Sequence, residues 1–118
     1  MSKTADIVNA YQHALGQGDI AGARKLLSDK LSFRGPFDSF EAPEPYLEAL
    51  KKLHPMVKGV KVHKLFVDES DACLLYDMET STPAGTAFIA EWYKVRDGKI
   101  ASIRVVFDAR PFAPLFSK

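Results

Sequence analysis

The sequence predicts an α+β fold, with helices first and an antiparallel meander after them. Three observations carry this. Apolar residues recur at helical spacing as far as Leu53; four extended runs separated by turn signals fill the second half; and 118 residues suffice for one core but not for two.

Ile7, Val8, Tyr11, Ala14 and Leu15 fall on one helical stripe, with Thr4 placed to cap its start and Gly16 to follow its end, which predicts a first helix over 4–15. Asp19, closing the run GQGD, is the N-cap expected for a short second helix carrying Ile20, Ala23, Leu26 and Leu27, so these two helices should pack as a hairpin. After Ser28 the segment LSFRGPFD reads as a short strand stopped by Gly35 and Pro36. Pro43 and Pro45 confine a third helix to a stretch ending near Leu53 and Pro55, with Tyr46, Leu47, Leu50 and Leu53 as its buried stripe. Extended runs at 59–67, 72–81, 86–96 and 99–108 are separated by DESD, TPAG and RDG, and their meander must bury one face against the helices.

Composition excludes several classes. Hydrophobic content of 47%, charge of 26% and a net charge of +1 describe a globular chain and give no basis for expecting nucleic acid as a partner. The N-terminal stretch is interrupted by Asp6, Asn9, Gln12 and His13, so neither a signal peptide nor a membrane span is expected there. The single cysteine, Cys73, suits a reducing compartment, and a cytoplasmic location with no membrane partner follows as the expectation. His13, His54 and His63 have no mutual ligand spacing and no phosphate loop or nucleophile elbow occurs, so no metal and no cofactor is expected. The stretch KKLHPMVKGVKVHK, residues 51–64, holds five lysines and two histidines without an acid. It suits either attraction of an anion or an edge strand protected by charge against aggregation.

The run AFIAEWYKV places one acid, Glu91, in an apolar strand. Strand alternation puts it on a face with Ile89, Tyr93 and Val95, and puts Phe88, Ala90 and Trp92 on the other. A carboxylate there is costly unless partners or proton uptake relieve it. Two readings stand: a pocket acid, or a carboxylate salt-bridged to Arg104 or a lysine at a solvated edge. The opposite face, with Phe88, Trp92, Leu75 and Val106, is apolar enough to require cover, either by a second copy in a homodimer through the sheet or by the C-terminal segment carrying Phe112 and Phe116.

Three pieces, AYQHALGQGDIAGARKLLSDKLSFRGPF, the helix at 42–54 and EWYKVRDGKIASIRVVFD, resemble the nuclear-transport-factor-2-like superfamily, in its SnoaL-like polyketide-cyclase and ketosteroid-isomerase branch. The resemblance spans nearly the whole chain. It implies a cone in which three N-terminal helices pack in a curved antiparallel sheet open at one end into an apolar pocket, and many members are homodimers. Tyr11 stands eight residues before Asp19, as the oxyanion-donating tyrosine of the isomerases stands before their turn aspartate, and Glu91 falls near the position of their protonated strand acid. The isomerase base precedes a proline, and here that residue is Gly35, before Pro36. Steroid isomerisation by that route therefore lacks its base.

The resemblance implies Leu74, Tyr76, Met78, Ile103, Val105 and Phe107 as pocket wall and Phe33 at its mouth or floor. His63 joins this ligand-binding set if a strand bulge turns it inward. Glu91, as general acid or base, and Tyr11, as hydrogen-bond donor, are the catalytic candidates, with Asp108 a lesser one at a strand end. The function so implied is a cofactor-independent isomerase, cyclase or hydrolase acting on a small apolar carbonyl or polycyclic ligand. The alternatives are a non-catalytic ligand-binding or protein-interaction dimer, and a cavity filled by the chain's own side chains.

Overall fold

The computed structural model describes residues 3–116, with side chains as far as 114. The elements are α1 (Lys3–Gly16), α2 (Ile20–Lys25), β1 (Leu27–Arg34), β2 (Ser39–Phe40), α3 (Pro43–Leu53), a 3-10 turn (His54–Met56), β3 (Val57–Asp68), β4 (Asp71–Thr80), β5 (Thr86–Arg96), β6 (Lys99–Val106), a second 3-10 turn (Arg110–Phe112) and α4 (Ala113–Phe116). Six strands form one sheet among the described residues, in the order β2-β1-β6-β5-β4-β3.

The second half is the expected antiparallel meander, β3 to β6. Its turns sit where the turn residues stand: Glu69, Gly85, Asp97 and Gly98 all adopt positive φ. The sheet as a whole is mixed, which corrects the all-antiparallel expectation. β1 begins at Leu27, inside what the spacing read as helix, and runs parallel to β6 with Phe33 opposite Ile103, while only β2 pairs with it antiparallel. α3 accordingly follows a β-hairpin, so two helices and not three precede the first strand.

Asp19 caps α2 as expected, its carboxylate accepting the Gly22 amide at 2.8 Å. Thr4 does not cap α1. It lies within the helix, buried, and its hydroxyl donates to the Glu69 carbonyl at 2.7 Å, tying α1 to the β3–β4 turn.

Val8, Tyr11 and Ala14 of α1 bury against the inner face of the sheet with Leu27, Leu31, Tyr93, Ile100 and Ile103. Burial alternates strictly along β5: Ala87, Ile89, Glu91 and Tyr93 are buried, while Phe88, Trp92 and Lys94 are exposed. The outer face keeps Phe66, Phe88 and Val106 more than half exposed. Phe112 is buried, packing edge-on against Phe107 at 5.7 Å. It borders the inner cavity and also the outer groove that Phe88 and Val106 line, yet it leaves Phe88 57% exposed. The Phe116 side chain lies outside the described residues.

Candidate functional site: a buried carboxyl in an apolar cavity

Where α1 and α3 diverge from the sheet, a cavity of about 1120 Å³ remains, so the chain's own side chains do not fill it. Its wall is mainly apolar, with Phe33, Phe40, Met78, Ile89, Val105 and Phe107 contributing from five strands and the loop after β6. Glu91 lies on this wall although only 4% exposed.

The neighbouring tyrosines explain how a carboxyl is held there. Tyr76, one strand away, donates to Glu91 Oε1 at 2.5 Å, and Tyr93, two residues along the same inner face, donates to Oε2 at 2.7 Å. The Tyr93 hydroxyl in turn accepts the Gln12 amide at 2.5 Å, joining α1 to the acid. Burial pushes the Glu91 carboxyl above the usual carboxylate range, and the two tyrosine hydroxyls only partly offset this. Burial likewise raises Tyr76 and Tyr93, with the Glu91 charge adding to the effect. Arg104 faces the opposite way, paired in register with Trp92, and Glu91 is buried with tyrosines as its partners, not at a solvated edge beside a lysine, so the salt-bridged reading of Glu91 does not hold.

Glu91, Phe33, Tyr76, Met78, Val105 and Phe107 are thus brought together around one space. Other candidates lie elsewhere. Leu74 and Ile103 do point inward, but at the end where α1 packs directly on β4 and β6, and they are core filling and not cavity wall. His63 is the extra residue of a bulge in β3. It follows the cavity-facing Val62 and points outward, 3.0 Å from Asp77 and beside the Phe88 ring. Asp108 is ion-paired to Arg110 at 2.8 Å, which lowers its carboxyl to about 2, and it borders the outer groove. Arg34 is exposed near Glu41.

Tyr11 corrects a further expectation. It has no exposure, and its hydroxyl lies 2.5 Å from that of Tyr46, which itself borders the cavity and stacks on Phe33 at 4.5 Å. Of this pair it is Tyr46 that borders the cavity, with Tyr11 enclosed behind it. Replacing Tyr46 with Phe leaves the enclosed Tyr11 hydroxyl unpaired and is expected to cost about 1–2 kcal/mol, whereas Tyr11→Phe costs less because water in the cavity can serve Tyr46. The double variant should match Tyr11→Phe. Denaturant unfolding of the three variants checks the cycle; additive losses would mean that the two hydroxyls do not act as a pair.

Sequence reasoning missed Gln12 and underrated Tyr46. Gln12 follows Val8 by four residues and precedes Leu15 by three, so its place beside the buried stripe was readable. Tyr46 reads as core in the sequence because a helix stripe facing a cavity has the same spacing as one facing packed side chains. Among the described residues no group of His, Cys, Asp and Glu is placed to hold a metal ion, and no helix is long and apolar enough to cross a membrane.

A family model described as a SnoaL-like domain matches residues 8–103. No curated protein matches the chain. Among solved structures, an NTF2-like protein of unknown function from Cytophaga hutchinsonii is 32% identical, with 96% of each chain covered and a TM-score of 0.83. An LEH-like epoxide hydrolase from M. tuberculosis, 19% identical over 97% of this chain and 89% of its own, superposes with a TM-score of 0.79 and is similar in fold.

Proposed function

This chain belongs to the SnoaL-like domain family, and we propose that it is a pocket enzyme that moves a proton on a small, mainly apolar carbonyl compound through Glu91. One observation carries the reading: a carboxyl 4% exposed on an apolar cavity wall, held by two tyrosine hydroxyls and with its proton affinity raised by burial. Such a group gains or loses a proton nearer neutrality than an exposed glutamate, as general acid–base work requires. Each Glu91 oxygen accepts one tyrosine and retains a second acceptor position. Tyr46 borders the same space, and with Tyr11 donating to it, its own proton is available to an oxygen on which charge develops, while the Tyr76 proton is committed to Glu91. Because Gly35 stands where the isomerases carry their base, Glu91 would serve both proton abstraction and return.

Deuterium incorporation next to the carbonyl of a panel of cyclic and polycyclic ketones in heavy water tests this, read by mass spectrometry. Catalysed exchange on at least one ketone is expected. Binding without exchange across the panel would leave the non-catalytic reading in its place.

The exposed Phe66, Phe88 and Val106 support a second proposal, that the outer sheet face is covered by another copy of the chain. Sedimentation equilibrium should then give twice the chain mass, and Phe88→Lys with Val106→Lys should give the monomer. A monomeric wild type would overturn it.

A further inference from the structure

The lysine-rich stretch 51–64 is divided by the fold into parts with different surroundings. Lys51 is 3.2 Å from Glu48, Lys61 pairs in register with Asp77 on the outer face, His63 is on the same Asp77, and Lys64 lies over the Phe66 ring, also on the outer face. Lys52, His54 and Lys58 remain, and all three line the mouth of the cavity that holds Glu91. Neither lysine has a carboxylate within ion-pair distance among the described residues. Two acids also line the cavity. Glu48 is occupied by Lys51, and Asp38 stands in the β1–β2 loop, at the opposite edge of the sheet from β3. One side of the mouth is therefore basic and the other is not.

A cation at the end of α3 also complements the helix dipole, which accounts for Lys51 and Lys52. It does not account for Lys58, which lies beyond the 3-10 turn as the second residue of β3. Inside the mouth the wall turns mainly apolar and aromatic, with Phe33, Phe37, Phe40 and Phe107, and the buried polar groups on it include Glu91, Tyr76, Tyr46 and Thr80.

We infer that the ligand is an amphipathic anion: a mainly apolar, ring-bearing body whose carbonyl or phenol end reaches Glu91 and whose carboxylate stays at the mouth against Lys52 and Lys58. This rests on the reading of the cavity as a ligand site. The basic rim would draw the anion in from solution and fix which end enters first.

A matched pair of probes separates the two claims: estrone, a phenol on a four-ring skeleton, and its carboxymethyl oxime, which bears a carboxylate at the far end. Titration calorimetry at low salt should show the carboxylate binding about fivefold or more tightly than estrone, and the preference should shrink at about 0.5 M salt. Lys52→Gln combined with Lys58→Gln should bring the affinity for the carboxylate down to that for estrone. Equal affinities in the wild type, or a preference that survives the double substitution, would overturn the inference and leave the cavity as a site for neutral ligands. Failure of both probes to bind would remove the cavity reading, and the inference with it.

Discussion

Glu91→Gln should slow deuterium exchange on any ketone that the wild type turns over by a factor of about 10²–10⁴, the range general acid–base catalysis commonly supplies. The substitution keeps the shape and removes the titrating group. Its amide oxygen still accepts from one tyrosine. The amide nitrogen, now a donor, meets the other, and Tyr76 can turn to accept because its hydroxyl borders the cavity. Ligand affinity measured with the same ketone should change far less than the rate, since the apolar wall is untouched. That split matters: a residue that only shaped the cavity would lower affinity and rate together. Equal exchange rates in the two proteins would exclude Glu91 as the proton carrier.

The acid was legible in the sequence because a strand of known alternation carries one charge among apolar neighbours, and the neighbours on its own face, Ile89 and Tyr93, are buried as alternation requires. The meander was legible for the same reason, since its turns are marked by residues that tolerate positive φ. What escaped depends on long-range pairing. The parallel contact of β1 with β6 joins segments some seventy residues apart, and nothing local in LSDKLSFR distinguishes a parallel partner from an antiparallel one. The roles of Tyr11 and Tyr46 were exchanged for a related reason: both lie on apolar helix stripes, and which hydroxyl meets the cavity is set by where α3 leaves the sheet. The face of His63 was not legible either: it follows the inward Val62, and the one-residue bulge there, which also brings Lys64 to the outer face, leaves no distinctive sequence mark.

The same substitution should stabilise the protein at alkaline pH, by about 1–3 kcal/mol, because a buried carboxylate is expensive and a buried amide is less so. The sign follows from linkage. Glu91 binds its proton more tightly in the folded chain than in the unfolded one, chiefly through burial, so its favourable contribution is complete below the ordinary glutamate pKa. As pH rises past that value the unfolded chain ionises first and stability falls, until the folded carboxyl has also lost its proton; above that point the loss is complete. Asp29, Glu44 and Asp108, lowered by hydrogen bonds from Arg24 and Arg110, work in the opposite sense, and their contribution disappears as pH falls. Being common to both proteins, they cancel in the difference between wild type and Glu91→Gln. Denaturant unfolding of the pair from about pH 5 to pH 8 should therefore give curves that separate with rising pH, the variant becoming the more stable. Parallel curves would mean that Tyr76 and Tyr93 hold Glu91 ionised throughout the range. The acid would then be a fixed charge for orienting a ligand, and proton transfer would have to be sought in another group.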